Sequence, residues 1–519
     1  MTDDVHMNTY FDTDVAVIGY GPSGLSASLK LAHHGVRVTA FEKEHSIYPR
    51  ARAVTVNDWT MRCFQSLGLD QALARTMDAT AALRWVTYDG QQLMRVEFPP
   101  SRFGRHPRSY AIYQPAMEEV LREAGNDMSE HLNVMYGKEV TEVRQEPDGA
   151  TVHWRDLATG EIGQVRARYV LACDGGSSAT REQLDIRLLG ETVETRWVVI
   201  DARVKRWWPE RHILTFWSDR ERPVVDIALA QGNHRWEFPL ASHESEADFS
   251  THAQLWKLLH SLGVTEQDVE IHQHAFYKHH VRHAERWREG RIFLLGDAAH
   301  LMPPWAGAGM QSGIRDAFNL CWKLVEVLQG RLSESVLDSY EAERAPNVEK
   351  MTQAAVQLGR IIRREFNEAT PPQGASTHNQ APIEMPNRQD PCLDTGWVRG
   401  PIAIDSIIGK MVPQPRVANA QGRLCWLDDL LGEGFALIGD GVDPSEFLSC
   451  TEKGAWDRLQ SRYLCVLAPQ DQGHGHHDII DLDGTLLQWM REHGARVVAV
   501  RPDRFIAAAN THGLATPWE

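Results

Sequence analysis

Three glycines near the start of the chain stand at a spacing that suits binding of phosphate groups. Gly19, Gly21 and Gly24 occur in the sequence GYGPSG, directly after a short apolar run. A turn without side chains lets the backbone approach a pyrophosphate, and the following helix N-terminus supplies amide hydrogens and positive potential. Glu42, 18 positions after the third glycine, would accept hydrogen bonds from ribose hydroxyls. For the glycine pattern alone, a purely structural turn is an open alternative.

Two further glycine-bounded turns follow apolar runs. Gly296 and Asp297 lead into the Pro- and Gly-rich stretch LMPPWAGAG and then a long helical pattern. The first amides of that helix would suit an anion, or a ring atom that becomes anionic, such as the N1–C2=O edge of a reduced flavin. Asp297 can also be interpreted as a helix cap. The other turn, Asp174-Gly175-Gly176, is by itself equally consistent with a surface loop.

These turns need strands and helices to hold them. The run VAVI before the first turn is typical of a central parallel strand that is buried on both faces. Apolar residues then recur at helical spacing as far as Gly35, which suits a C-terminal cap. The remaining patterns predict strands at 36–41, 140–154, 169–173, 197–200, 224–229 and 292–295, and helices from 113 to at least 122 and from 312 to 328.

The order of these patterns predicts an α/β protein with a discontinuous first domain. We assign residues 1–183 and 286–365 to a Rossmann-like nucleotide-binding domain. Residues 184–285, rich in Trp, Arg and His, are predicted to form an inserted β-rich substrate domain. Residues 366–396 carry five prolines and few large apolar side chains, as linkers do, and 397–519 are predicted to form a separate α/β module.

Composition excludes several classes of protein. The 519 residues are 42% hydrophobic and 24% charged, the usual globular balance. A formal net charge of -16 argues against a general binder of nucleic acids or anionic membranes, and no apolar run approaches the about 20 residues that span a bilayer. Seven scattered cysteines without a CxxC pair, and an acidic N-terminus without a signal-type core, favour a reduced, cytoplasmic protein. The HGHH run at 474–477 is interpreted as an exposed loop, and no metal site is expected.

Taken together and in this order, the three turns resemble those of the FAD-dependent aromatic hydroxylases, single-component flavoprotein monooxygenases related to p-hydroxybenzoate hydroxylase. The stretches YPRARAVTVND and GDAAHLMPPWAGAGMQSGIRDAFNLCWKL look most like the 3-(3-hydroxyphenyl)propionate hydroxylase branch. The C-terminal piece, with LDDLLGEGFALIG, is similar to the thioredoxin-like domain of phenol and polyketide hydroxylases, although it lacks CxxC. The resemblance therefore implies a Rossmann-like FAD-binding domain, an inserted β-rich substrate domain and a C-terminal thioredoxin-like domain.

The resemblance also implies which residues contact a noncovalently bound FAD. Glu42 would meet the adenosine ribose, and Arg52 and Gln114 would meet the phosphates or the ribityl chain. Pro304 would lie beside the flavin ring, and residues 309–311 would offer backbone groups to its pyrimidine edge. The complete set implied by the resemblance is Gly19, Gly21, Gly24, Glu42, Lys43, Arg52, Gln114, Val140, Asp174, Gly175, Gly296, Asp297, Pro304, Gly307, Gly309, Met310 and Gln311.

Hydroxylation of a phenol is the activity that the resemblance implies. NADH or NADPH would reduce FAD, O2 would form the flavin C4a-hydroperoxide, and a small phenol with an acidic side chain would receive the hydroxyl group. Such a site must exclude water and favour loss of the phenol proton. No catalytic residue is assigned. Four side chains could accept the phenol proton, but each is as readily interpreted as a packed or solvated residue: His212, His234, Tyr277 and His279. On side-chain chemistry alone, a substrate carboxylate could be held by Arg196, Arg235 or Arg282.

Other substrates and classes are open at this point. A substituted catechol or a fused-ring polyketide would use the same chemistry. A flavin oxidase or dehydrogenase would share the first turn without the GDAAHLMPPWAGAG run, and a flavin halogenase would need a WxWxIP signature that this chain lacks. A scaffold protein of the GDP-dissociation-inhibitor type would not need the 307–309 bend. The expected partners are a phenolic substrate and O2, without nucleic acid or membrane, and the family implies a homodimer.

Overall fold

The structure is a computed structural model that describes residues 11–219, 221–362, 390–471 and 478–517. Most of the predicted linker and all of the HGHH run lie outside these residues. The helices of the described part are α1 Pro22–His33, α2 Asp58–Gln65, α3 Asp70–Ala74, α4 Gln114–Asp127, α5 Ala179–Gln183, α6 His252–Ser261, α7 Gly309–Leu328, α8 Ser339–Ile362, α9 Leu427–Leu431, α10 Cys450–Arg458 and α11 Thr485–Glu492.

The strands of the described part form several sheets, so the predicted mixed α/β class is confirmed. In chain order they are β1 Thr13–Ile18, β2 Val38–Glu42, β3 Thr55–Asn57, β4 Asp78–Ala79, β5 Ala82–Val86, β6 Gln92–Glu97, β7 Ser109–Ala111, β8 Leu132–Tyr136, β9 Lys138–Gln145, β10 Ala150–Asp156, β11 Ile162–Ala172, β12 Leu188–Val204, β13 Leu214–Trp217, β14 Val224–Ala228, β15 Asn233–Pro239, β16 Val269–Ala284, β17 Arg288–Glu289, β18 Ile292–Leu294, β19 His300–Leu301, β20 Arg416–Ala418, β21 Leu424–Trp426, β22 Ala436–Asp440, β23 Arg462–Leu467, β24 Asp478–Asp481, β25 Val497–Val500 and β26 Ile506–Ala509.

The first sheet has a parallel centre in the order β8-β2-β1-β11-β18. Its central strands are the apolar runs that the sequence shows, since Val15, Ala16 and Val17 of β1 are fully buried. Helices α1, α4 and α7 pack together against it. Strands β9, β10 and β17 extend the sheet in antiparallel pairings.

Several predicted element bounds were wrong, each for a local reason. Strand β2 begins at Val38 instead of Val36, because the Val36 amide donates to the Leu31 carbonyl and ends α1. Residues 140–154, where strand-like alternation was predicted, form parts of two antiparallel strands, β9 and β10. Helix α7 begins at Gly309, three residues earlier than predicted, without a side-chain cap from any described residue that would have marked its start.

The second sheet has eight strands in the order β19-β16-β12-β15-β14-β13-β5-β6. The long strands β12 and β16 pair from Leu188 with Ala284 to Val204 with Val269. The sheet is not built from residues 184–285 alone. Strands β5 and β6 join its far edge, with β5 parallel to β13, and β19 joins the other edge. A small third sheet has the order β3-β7-β4.

The C-terminal sheet, in the order β21-β20-β24-β23-β22-β25-β26, packs directly on the first part of the chain. Trp322 of α7 meets Trp397 and Phe435, with ring centroids 5.8 and 5.6 Å apart. A buried ion pair between Arg62 and Asp428, with an N–O distance of 2.7 Å, crosses the same contact. None of the helices in the described ranges combines the length and the apolar character needed to cross a membrane.

Candidate active site

The three predicted turns follow three neighbouring parallel strands. The Gly19 turn follows β1, the Asp174 turn follows β11 and the Gly296 turn follows β18. Because β1 pairs with β11 and β11 with β18, the carboxyl ends of these strands lie side by side. The pairing continues past the strand ends, where the Cys173 amide donates to the Ile18 carbonyl at 2.8 Å. Ligands of open α/β sheets bind at this edge.

The first glycine turn is closed on one side and open on the other. A Cβ on Gly24 would overlap the Gly19 carbonyl oxygen, so only glycine fits there. A Cβ on Gly21 would meet no described atom within 4 Å, which leaves an open approach to the start of α1. That helix begins with Pro22, and no described side chain caps it. Its first amides are therefore available to a phosphate group.

Ser23 lies where the first turn meets the last. A Cβ on Gly296 or on Gly313 would overlap the Ser23 Oγ. Gly296 also has a φ of 59°, a left-handed conformation that favours glycine. These contacts fix the position of Asp297, an exposed residue, relative to the N-terminus of α1.

The bend before α7 is held by the side chain of Gln311. Its Nε2 donates to the Gly307 carbonyl at 2.7 Å. Its Oε1 accepts from the Asn57 amide at 2.9 Å and from the Thr60 hydroxyl at 3.0 Å. Helix α7 starts at Gly309 without a cap from a described side chain. The backbone of the bend and the positive N-terminal end of this 20-residue helix therefore face the same space.

That space is a cavity of about 300 Å³ bordered by all three turns. Gln114 is buried on its wall, where Oε1 accepts from the Arg52 and Ala53 amides at 3.0 and 2.7 Å. Gln114 therefore positions the Arg52 segment through direct hydrogen bonds. Nine of the predicted cofactor-binding residues lie on the wall: Gly21, Arg52, Gln114, Gly175, Asp297, Pro304, Gly307, Gly309 and Met310.

Five predicted residues adjoin the wall without being part of it: Gly19, Gly24, Asp174, Gly296 and Gln311. Asp174 Oδ2 accepts from the Thr180 amide at 3.1 Å, whereas Oδ1 is buried and has no hydrogen-bond partner among the described atoms. A buried carboxylate oxygen needs a donor. The Asp174 turn therefore fits a ligand that brings hydroxyl groups, as ribose and ribityl chains do.

Three predicted residues lie apart from the cavity wall. Glu42 accepts from the Tyr20 amide through Oε2 and from the Glu44 amide through Oε1, both at 2.9 Å, which ties the end of β2 to the first turn. Lys43 is exposed. Val140, implied by the resemblance to offer its backbone to adenine, lies in β9, paired with β10. The structure does not bring Lys43 and Val140 to the cavity.

Six further wall residues come from the second sheet, and no sequence motif marks them. Trp305 packs edge-on against His279, with ring centroids 4.9 Å apart. Strands β14 and β15 are buried along their whole length, so alternation of polar and apolar residues could not show which face lines a cavity. The wall residues from the second sheet are mostly apolar: Leu83, Leu214, Phe216, Val225, Ile227 and Glu237. Trp305 and Leu358 add to this apolar surface.

Glu237 is the carboxyl group that the second sheet contributes to this wall. Burial raises its pKa above the ordinary value, and Arg235, 4.0 Å away, and a hydrogen bond with the Tyr277 hydroxyl oppose this only in part. Burial also raises the pKa of Tyr277 well above its ordinary value. Arg235 is itself held by Asp201, at 2.7 and 2.9 Å. The cavity thus contains a carboxyl group of increased proton affinity within an ordered polar network.

The other candidates from the β-rich segment are paired elsewhere or exposed. His234 is buried and its Nε2 lies 2.6 Å from Asp226. Arg196 is exposed and pairs with Glu246 at 2.6 Å. Also off the cavity wall are His212 and Arg282. Among the described residues, no three His, Cys, Asp or Glu side chains are grouped to hold a metal ion.

Comparison with protein-family models gives two matches. Residues 12–355 match the family described as FAD binding domain, and residues 409–517 match that described as HcaD C-terminal domain. The first match contains all 17 residues that were expected to contact the cofactor.

Curated relatives and solved structures match over nearly the whole chain. A protein of Mycobacterium sp. (strain JLS), named 3-(3-hydroxy-phenyl)propionate/3-hydroxycinnamic acid hydroxylase, is 35% identical over 96% of this chain and 89% of its own length. A protein of the same name from Escherichia coli O81 (strain ED1a) is 33% identical over 97% and 93%. The crystal structure of the flavin-dependent monooxygenase PieE with FAD and substrate gives a TM-score of 0.78 at 22% identity over 97% of each chain. That structural likeness concerns the fold.

Proposed function

Because the chain belongs to the FAD binding domain family and is one of its FAD-dependent aromatic hydroxylases, we propose that it hydroxylates a small monocyclic phenol with an acidic side chain. The observation that carries this proposal is the shared cavity, where glycine-bounded turns meet an apolar wall with a buried carboxyl group, Glu237. Two curated relatives are named for 3-(3-hydroxyphenyl)propionate and 3-hydroxycinnamic acid, which are phenols of this class.

The size of the cavity supports a small substrate. About 300 Å³ is at the lower end of the range for ligand cavities. Because a flavin ring must share this space, the remainder suits one aromatic ring better than a fused-ring polyketide.

The residues around the cavity fit FAD. Gly21 and the uncapped start of α1 would hold the pyrophosphate. Asp174, with its unpartnered Oδ1, and Asp297 would accept hydrogen bonds from ribose or ribityl hydroxyls. The bend at 307–310 would hold the pyrimidine edge of the flavin ring. Bound FAD supplies the redox chemistry, in which NADH or NADPH provides the electrons and one oxygen atom of O2 enters the aromatic ring.

Glu237 would accept the proton of the phenol hydroxyl at a carboxylate oxygen. Its raised pKa makes its ionised form a stronger base than an exposed carboxylate. The Tyr277 hydrogen bond orients the acceptor, and Arg235 ties its strand to the Arg52 segment by donating to the Ala51 carbonyl. Loss of the proton makes the ring richer in electrons and therefore easier to hydroxylate.

The apolar wall would exclude water from the reacting atoms. Phe216, Val225, Ile227 and Trp305 are each at least nine-tenths buried and line the cavity. A dry site strengthens the interaction between Glu237 and the phenol proton and prevents loss of the activated oxygen to solvent.

A panel of phenols tests the proposed substrate class. We expect the FAD-loaded protein to oxidise NADH or NADPH faster with a 3-hydroxyphenylalkanoate, with little H2O2 and with a dihydroxylated product. Tight coupling with a fused-ring polyketide or a substituted catechol instead would overturn the substrate proposal. Reduction by an amine or alcohol without NADH or NADPH would overturn the reaction class.

We further propose the domain division 1–183 with 286–365 for FAD, 184–285 as the core of the substrate domain, 366–396 as linker and 397–519 as a thioredoxin-like domain. The C-terminal sheet supports the last assignment, since parallel β22 and β23 are followed by antiparallel β25 and β26. Without CxxC, that domain would have a structural role. A cytoplasmic homodimer is also proposed, and light scattering of the purified protein tests the dimer.

A further inference from the structure

Four arginines line a second, smaller cavity of about 40 Å³ between helices α2, α7 and α8 and the C-terminal sheet. They are Arg62, Arg315, Arg344 and Arg504, and all are at least nine-tenths buried. Much of the remaining wall is apolar, with Trp59, Phe318, Leu393, Met411 and Phe505. A buried cluster of like charges at a contact between domains needs counter-charges.

The carboxylates around this cavity do not balance the arginines. Arg62 and Arg504 share Asp428, at 2.7 and 3.2 Å, and Arg344 pairs with Asp316 at 2.8 Å. Two carboxylates of the described residues are thus in ion-pair contact with three of the four guanidinium groups.

One carboxylate on the wall is committed to another arginine. Asp503 accepts hydrogen bonds of 2.9 and 2.6 Å from Arg501, which is not one of the four arginines on the wall. The Trp322 indole N–H also donates to Asp503, at 3.2 Å. The positive charge on the wall is therefore only partly compensated.

Arg315 is the arginine on this wall that has no ion-pair partner among the described residues. Its Nη2 donates to neutral oxygens of Asn57, Thr60 and Gln311 at 2.8, 3.3 and 3.3 Å, and within the described ranges no carboxylate pairs with it. Its Nε is buried without a hydrogen-bond partner there, as is Nη1 of Arg504. Burial and the nearby Arg344 lower the pKa of Arg315 to about 9, so the group is still charged at neutral pH.

We propose that a halide-sized anion binds in this cavity against Arg315 and Arg504. A cavity of 40 Å³ has room for about three waters, which accommodates a monatomic anion and is too small for sulfate or phosphate. Water alone would satisfy the N–H groups but leave the charge unbalanced. The anion would also join α7 to the segment 502–505 of the C-terminal sheet, and so give that domain a structural function.

The site is connected to the large cavity by two hydrogen bonds. Arg315 donates to Gln311, and Gln311 donates to the Gly307 carbonyl at the bend. Anion binding is therefore expected to favour the bend that the flavin needs, and by linkage flavin binding favours the anion.

Thermal unfolding of the FAD-loaded protein tests the proposal. In sodium chloride titrated against sodium gluconate at constant ionic strength, we expect a saturable chloride-specific rise in Tm of about 2 °C. Arg315→Met should abolish the rise, whereas Arg196→Met, which removes an exposed arginine paired with Glu246, should keep it. Equal Tm values of the wild type in the two salts, or a rise retained in Arg315→Met, would overturn the site.

Bromide keeps the proposal testable if Arg315→Met does not fold. Crystals of the wild-type protein soaked in sodium bromide should show an anomalous peak in hydrogen-bonding contact with the Arg315 Nε. A cavity without such a peak overturns the proposal. Neither measurement depends on the proposed phenol substrate, so the two proposals fail independently.

Discussion

The hydroxyl of Ser23 occupies the space that a Cβ on Gly296 would need. The start of α1 and the turn after β18 are therefore in direct contact. This contact places the phosphate-binding turn and Asp297 on one cavity wall, although they are more than 270 residues apart in the chain.

Gly296→Ala should loosen this contact and reduce FAD retention. Overpacking and the left-handed φ of 59° together should cost about 2 kcal/mol of unfolding free energy. The measurement is the flavin-to-protein absorbance ratio after gel filtration, with urea unfolding. Gly454→Ala is the control, because a Cβ there meets no described atom within 4 Å. Unchanged flavin content in Gly296→Ala would show that this contact does not position the FAD site.

Gln311→Leu should destabilise the bend before α7. It leaves the Gly307 carbonyl and the Asn57 amide without their side-chain partner, which costs about 1–3 kcal/mol. We expect a lower Tm and a higher Kd for FAD, measured by flavin fluorescence. Gln488→Leu, at an exposed position of α11, serves as the control and should change neither value.

Glu237→Gln should lower kcat for phenol hydroxylation by about 10²- to 10⁴-fold, the usual contribution of a general base. FAD content should stay unchanged, because Glu237 lies on the sheet side of the cavity. Stopped-flow measurement of product formation across pH is the test, and the wild-type dependence on a basic group should disappear in the variant. A wild-type rate in Glu237→Gln would remove Glu237 from the mechanism.

Glu237→Gln should also change how stability depends on pH. Because the folded-state pKa of Glu237 is raised from its ordinary 4.5, the folded protein binds this proton more tightly than the unfolded chain. Stability from this group is present below pH 4.5 and is lost as pH rises through the folded pKa. Urea unfolding at several pH values should therefore favour Glu237→Gln over the wild type increasingly toward alkaline pH. The exposed-site control, Glu270→Gln, should follow the wild type.

Arg62→Met should weaken docking of the C-terminal sheet. Burial alone would raise the pKa of Asp428, but Arg62 and Arg504 lower it to about 2. This stabilisation is present above pH 4 and is lost as pH falls toward 2.

At neutral pH, Arg62→Met should cost about 3–5 kcal/mol of unfolding free energy, because it leaves a buried carboxylate short of a partner. Arg187→Met, at an exposed pair with Glu285, should cost under about 1 kcal/mol. Equal losses in the two variants would show that the buried pair does not stabilise docking.

The three turns that border the cavity could be found from the sequence, because each turn directly follows a buried strand. Gly19 and Gly296 could be placed at one sheet edge once their strands were taken as parallel neighbours. The ends of helices were harder to predict where no side chain marks them. Gly309, for example, begins α7 without a cap from the described residues.

The sheet side of the cavity could not be predicted in the same way. Glu237 sits in β15, whose seven residues are all buried, so no alternation marks the cavity face. Its increased proton affinity comes from burial in the tertiary fold and is opposed in part by Arg235 and Tyr277, and Tyr277 comes from a strand 40 residues away. The hydrogen bonds of Gln311 to Asn57 and Thr60 span about 250 residues and are likewise products of the tertiary fold.

A crystal structure of the protein with FAD and a 3-hydroxyphenylalkanoate is the most direct test of a cavity shared by flavin and phenol. We expect the flavin ring against the 304–310 bend and the phenol oxygen within hydrogen-bonding distance of Glu237 or Tyr277. A flavin bound away from that bend, or a phenol oxygen that contacts neither side chain, would contradict this expectation.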